Sequence, residues 1–280
     1  MWNLVNQRSK SRCCLLGIVL LVSISAPGNI TVVSEAQSDK ALTPAQLEIE
    51  KQRQRLSSSS EEERRDALMQ LGAMHLQAAS RVALTSLGDP SPVVRAVAAH
   101  AILALGPEES SRVLIPLLND KDEFVRREAV YDLGLTHSRS AVAALSERLV
   151  SDKKDSVRGA AAVALGEIAD ESAVVALAGV LSQQLPSQPK GKPKRKAEQN
   201  PFVLRASATA LGQIRSRAGV PALLGALANE KLLDDVRREA AHALGLIGDP
   251  VAVPALRAAS TAADPHLART AFESLRKITP

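Results

Sequence analysis

After residue 60 the apolar positions form a stripe at intervals of four, four and three. In SVRGAAAVALGEIAD (156–170) the stripe is Val157, Ala161, Leu165 and Ile168. That spacing puts them on one face of an α-helix. FVRREAVYDLGLTHS (124–138) and DVRREAAHALGLIGD (235–249) align with it, and each has an Arg in third place: Arg158, Arg126 and Arg237. Small residues recur three positions after the Arg, and Leu-Gly recurs seven and eight after it. RRDALMQLGAM (64–74) fits from Arg64. VLRASATALGQI (203–214) fits with Leu204 in the Arg slot, and LARTAFESLRKI (267–278) fits with Ala268 there and Arg276 in place of Gly. VVRAVAAHAILALG (93–106) fits only with a helix about three residues longer or a shifted register.

The recurring glycines are Gly72, Gly106, Gly134, Gly166, Gly212 and Gly245, with Arg276 closing the series. Their spacings of 34, 28, 32, 46, 33 and 31 describe units near 31 residues, the 46 containing an insertion. Between the first helices lie second apolar runs: 113–120, 140–152, 172–181, 218–227 and 251–259. Pro221 and Pro254 stand near the starts of two of them, where a missing N–H costs least. Asp89, Asp120, Asp152 and Asp264 precede the next first helix and suit N-cap or first-turn positions. Each unit therefore reads as two antiparallel helices that bury their stripe only by stacking on neighbours. Glycine inside a helix costs about 1 kcal/mol against alanine, so its recurrence points to close backbone contact or a helix end.

The pattern resembles HEAT repeats, specifically the short units of phycobilin lyases. Val157-Arg158, Ala161, Ala164-Leu165-Gly166, Ile168 and Asp170, followed by Ala173-Val174, carry the resemblance, and equivalent positions run from about 61 to 280. It implies an all-α fold, a curved α-solenoid of six to seven helical hairpins with second helices lining the concave face. It also implies that Arg126, Arg158 and Arg237 bond within and between repeats, and that Gly134, Gly166, Gly212 and Gly245 are structural.

Two segments lie outside the repeats. Arg8, Lys10 and Arg12 precede an apolar run from Cys13 to Ile24, followed by Ala26-Pro27-Gly28, which is the layout of a secretory signal peptide. Residues 1–36 are read as that signal, cleaved after Ala36 or retained as an anchor, and the protein as exported, periplasmic or secreted. Both cysteines, Cys13 and Cys14, fall in it, so the cleaved chain would have no thiol. Residues 37–60 read as an N-terminal helix or linker: Thr43-Pro44-Ala45-Gln46 starts a helix running towards Leu56, and Ser60 with Glu63 starts the solenoid.

Charge sharpens the picture. Residues 1–36 and 183–200 account for +2 and +4 of the net charge of +5, leaving the remainder at −1. The second stretch, QQLPSQPKGKPKRKAEQN, has the composition of a disordered basic insertion. Its Lys190, Lys192, Lys194, Arg195 and Lys196 are candidate partner-binding residues for an anionic envelope surface or an acidic partner. Aromatic residues make up 2% of the chain, which argues against base-stacking modules, and nucleic acid is not expected as a partner.

Catalytic chemistry is not apparent. No histidine among His75, His100, His137, His242 and His266 is followed by Glu, so the iron-binding His-Glu pairs of deoxyhypusine hydroxylases, another HEAT-like family, are absent. Glu239 and His242 lie three apart on one helix, but a metal needs three or four ligands. No nucleophile elbow, phosphate loop or dinucleotide fingerprint occurs. The expectation is a monomeric, non-enzymatic scaffold without cofactor that binds a protein partner through its concave face. The alternatives are a lyase-like or hydroxylase-like enzyme and anionic-surface binding through the basic stretch.

Overall fold

The computed structural model describes residues 42–182 and 200–279. The expected signal segment, 1–36, and the five basic residues Lys190 to Lys196 lie outside these residues. Among the described residues there are fourteen α-helices and no strand. Helix α1 (Pro44–Arg55) begins at the proline, as its sequence predicts. Six hairpins follow: α2 (Glu61–Ala73) with α3 (Gln77–Ala83), α4 (Pro92–Ala101) with α5 (Pro107–Leu114), and α6 (Glu123–Thr136) with α7 (Val142–Ser151). Then come α8 (Asp155–Ile168) with α9 (Val174–Leu181), α10 (Pro201–Ile214) with α11 (Val220–Ala228), and α12 (Asp234–Ile247) with α13 (Val253–Ala259). A seventh first helix, α14 (Pro265–Ile278), packs on α12. The first helices stack consecutively in one row, and α7, α9, α11 and α13 in a second. One apolar core runs between the rows from Ile49 to Ala271. The fold is an α-solenoid.

The helix starts follow from their caps. Ser60, Ser91, Asp122, Asn200 and Asp264 each accept a backbone N–H from the first turn of the helix they precede. Four second helices are entered through a short 3-10 turn, as at Glu171–Ala173 before α9, where Asp170 caps the turn.

The first-helix row is held at contact distance by glycine. A Cβ on Gly134 would lie 3.0 Å from the Cα of Ala164, one on Gly166 3.0 Å from Ala210, and one on Gly212 2.9 Å from Ala243. On Gly245 it would lie 2.9 Å from the Ser274 Cα, and on Gly72 3.3 Å from Ala101. Each junction thus sets a glycine against a small residue one repeat on.

Gly106 does not belong to that series. It ends a 3-10 turn at Leu103–Leu105 with φ +93° and precedes α5. Its counterparts are the positive-φ residues that follow other first helices: His75, His137, Ala169, Arg215 and Gly248. Leu103 takes the glycine slot instead, and α4 has 10 residues where α6, α8, α10 and α12 have 14. The spacings of 34 and 28 are therefore two regular units of 31 with a displaced glycine.

Three of the four repeat-closing aspartates also differ from expectation. Asp89, Asp120 and Asp152 do not N-cap the helix ahead; their side chains take the guanidinium of the Arg 25 or 26 residues upstream. Arg64 reaches Asp89, Arg95 Asp120 and Arg126 Asp152, each through both Nε and a terminal nitrogen at 2.8–3.1 Å. The next Arg in the series closes the link: Arg95 donates to the Asp89 carbonyl and Arg126 to the Asp120 carbonyl. Paired, bidentate geometry is what lets these buried guanidinium groups persist. Arg158 and Arg237 depart from the pattern, donating to the carbonyls of Leu149 and Leu227 and to Asp155 and Asp234 on their own helices. Asp264 alone of the four is a helix N-cap.

Candidate functional site

The second-helix row changes character along its length. At α3 and α5 it is charged, with Arg81 paired to Glu109 at 3.0 Å and Arg112 exposed beside them. At α9 and α11 it carries no charged side chain. There a groove lies between α7, α9 and α11, lined by Val150, Val175, Gly179, Ser182, Pro221 and their small neighbours. Val175, an apolar β-branched side chain, is 83% exposed. Gly179 and Gly225 have nothing within 4 Å of where a Cβ would sit. Both are helical, so each forfeits helix propensity without the packing reason that explains Gly134, Gly166, Gly212 and Gly245. The groove offers shape and an apolar surface of small side chains.

A second cluster sits at the boundary between α4 and α6. Asp132 occupies the slot that is Ala101, Ala164, Ala210, Ala243 or Ser274 at the other junctions. Its carboxylate is buried; Oδ1 lies 2.8 Å from His100 Nδ1, and Oδ2 has no partner. The His100 imidazole is 63% exposed. Burial pushes the Asp132 carboxyl up, against the opposing pull of His100. The hydrogen bond to Asp132 holds the His100 pKa above its ordinary value, burial working the other way. Hydroxyls surround this boundary: Ser80 donates to the Ala101 carbonyl and Ser110 to that of Ile102, while Ser111 and Thr136 bond each other at 2.9 Å.

The first-helix row displays what aromatic surface the described residues have. Phe124, Tyr131, Phe202 and Phe272 are all exposed, beside Met69 and Val163. The Arg127 guanidinium lies over the Phe124 ring at 5.2 Å. The Phe202 ring fills the space beside Gly159, where a Cβ would meet it at 2.0 Å. The sequence sign of this surface is that Met69, Tyr131 and Val163 share one helical register outside the buried stripe.

Of the residues singled out from sequence, Arg126, Arg158 and Arg237 and the four glycines lie in the packing between helices, away from the groove. Glu239 and His242 meet at 3.4 Å on one helix. Among the described residues no group of three or more His, Cys, Asp or Glu is placed to hold a metal ion. No described helix is long and apolar enough to cross a membrane.

Structures of similar fold include human deoxyhypusine hydroxylase, 23% identical over 82% of this chain and 84% of that one, with a TM-score of 0.41. The CpcE–CpcF complex of phycocyanin lyase from Nostoc sp. PCC7120 is 23% identical over 88% and 91%, with a TM-score of 0.47. An engineered protein is 22% identical over 82% of this chain and 68% of that one, with a TM-score of 0.46. No curated protein sequence matches. The family model for HEAT repeats matches residues 49–133, 111–187 and 195–276. With stacked helical hairpins over the same span, the chain belongs to the HEAT-repeat family.

Proposed function

We propose that the protein is a non-enzymatic, exported scaffold that binds a protein partner in the groove between α7, α9 and α11. The observation that carries this reading is the open, uncharged stretch around Val175, Gly179 and Gly225. Exposed glycine in a helix lets another backbone approach closely, and an apolar groove rewards a helix or extended segment with small side chains. Ser182 lines this groove and immediately precedes the basic stretch 183–200. A partner with an acidic flank beside a small, apolar segment therefore matches both features. Export rests on Arg8, Lys10 and Arg12 ahead of the apolar run from Cys13 to Ile24.

The test is a crosslinked pull-down from the native cell envelope. It compares the intact chain, a Val175→Asp variant, a Gly179→Asp variant and a deletion of 186–198. Capture that survives the deletion and disappears in both groove variants supports the reading. Capture lost only on deletion moves recognition to the basic stretch and an anionic partner.

A further inference from the structure

We propose that the boundary between the second and third repeats is a proton-controlled hinge, closed by the charged His100–Asp132 pair and loosened when His100 loses its proton. The proposal stands on the packing of this one boundary and is independent of what the groove binds.

Five of the six first-helix junctions are clamped by a glycine against a small residue. The α4–α6 junction has neither member of that clamp. Leu103 stands in the glycine slot and Asp132 in the small-residue slot, and α4 gives way to a 3-10 turn at the level where the clamp would form. Ile102 has φ −90° and ψ −2°, outside regular helix, and Gly106 has positive φ. A break in the helix, a missing clamp and a buried carboxylate therefore coincide at one place in the row.

Electrostatics then decides how tightly the boundary closes. A buried carboxylate with an unpartnered oxygen is costly unless a compensating charge lies against it. His100 supplies that charge when protonated, and its exposed imidazole exchanges protons with solvent. Glu128, one turn before Asp132 on α6, adds negative charge that acts on both members of the pair and is itself bonded to Arg127. Around the boundary α5 presents the neutral hydroxyls of Ser110 and Ser111, α2 presents Gly72 and α8 presents Ala164. Arg95, the nearest Arg of α4's own ladder, is committed to Asp120.

Both groups bind protons more tightly in the folded chain than in the unfolded one. For each group the stabilisation is fully present below its unfolded-state pKa and is lost as pH rises through its own folded-state pKa. The loss at His100 is the step that turns the charged pair into a carboxylate beside a neutral ring. Above that step, Asp132 keeps its charge and faces a neutral ring. Hydration of the carboxylate through the α4 break is then the less costly state, and the two sides of the solenoid gain freedom about this boundary.

The experiment is hydrogen exchange of the full chain from pH 5 to pH 9, corrected for intrinsic rates and read at amides 99–106 and 129–137. Protection there is expected to fall about 10-fold as His100 titrates, with the α8–α10 and α10–α12 junctions unchanged. Asp132→Asn should abolish the pH dependence, Asp132→Ala should keep the boundary protected at every pH, and His100→Gln should leave it loosened at every pH. The exposed position of His100 keeps the last variant folded if the Asp132 variants are not. Protection independent of pH in the wild type overturns the proposal. So does a pH response that persists in Asp132→Asn or His100→Gln, or one spread equally over all junctions.

Discussion

Replacing Gly212 by alanine separates two roles that glycine has in this molecule. On propensity alone, Gly→Ala inside a helix stabilises by about 1 kcal/mol. At Gly212 the new methyl would lie 2.9 Å from both Cα and Cβ of Ala243 and 3.3 Å from Leu246 Cδ1. The leucine tip can yield, but the Ala243 backbone cannot without moving α12 away from α10. Overpacking of this kind costs about 1–3 kcal/mol. The net change should therefore run from neutral to about 2 kcal/mol destabilising. Gly179→Ala and Gly225→Ala supply the reference, since a methyl there meets open space. They should gain up to about 1 kcal/mol by the same propensity. Subtracting reference from test cancels propensity and leaves the junction term of about 1–3 kcal/mol, which is a difference in Tm of roughly 2–10 °C for a chain of this size. Thermal melts followed by far-UV circular dichroism would read it. If Gly212→Ala raises Tm as much as Gly179→Ala does, the first-helix glycines do not set the junction distance and the packing argument fails.

Other consequences are open to the same kind of measurement. Gly166→Leu and Gly245→Leu should each cost about 3 kcal/mol or more, because the side chain must enter space held by Ala210 or Ser274; urea titration would show it. Asp120→Ala removes the partner of Arg95, whose side chain is only 7% exposed, and should cost about 3–5 kcal/mol, while replacing the exposed Arg269 should cost almost nothing. Burial raises the Asp89, Asp120 and Asp152 carboxyls, but their Arg partners and a backbone N–H outweigh it and hold them below the usual carboxylate range. Their contribution is present above the unfolded-state pKa and lost as pH falls through the folded one, so acid titration should loosen the first three repeats before the last three. Ala169 adopts a left-handed conformation at φ +55°, and Ala169→Gly should raise stability by up to about 1 kcal/mol in the same melts.

The helical repeat was legible in sequence because its signals are local. A stripe at four, four and three, a Leu-Gly pair and an Arg all lie within one helix. The clamp partners were harder to see because they lie one repeat away. Asp89, Asp120 and Asp152 read naturally as caps for the helix just ahead, yet each answers an Arg 25 or 26 residues behind. That constant interval was present in the sequence as the usable sign. Gly106 misled for a related reason. It follows a leucine, as the clamp glycines do, but belongs to the helix-ending slot shared with His75 and Gly248. The paired errors of 34 and 28, which together make two units of 31, were the trace of it. His100 and Asp132 stayed hidden because they belong to no metal-ligand or catalytic motif and stand 32 residues apart. A charged residue in a slot otherwise held by alanine or serine is the anomaly that marks them. The groove around Val175 was visible only as a class of small apolar side chains, since burial and the empty space beside Gly179 are properties of the stack.

Packing constraints and open surface fall on different helices. The first helices carry the glycine clamps and the Arg–Asp links, so substitutions there act on stability. The second helices at α9 and α11 contribute one face to the core, through Leu177, Val180, Leu223 and Leu227, and leave the other open. Changes on that open face touch little, and exposed substitutions away from packing features usually stay within about 0.5 kcal/mol. Substitutions in the groove can therefore change its surface chemistry while the solenoid stays intact. That separation is what makes Val175→Asp informative: lost binding with an unchanged melt assigns the loss to the surface and not to unfolding. The α4–α6 boundary is the exception to the division. There a first-helix junction has given up its clamp for a titratable pair, trading local rigidity for dependence on the solvent.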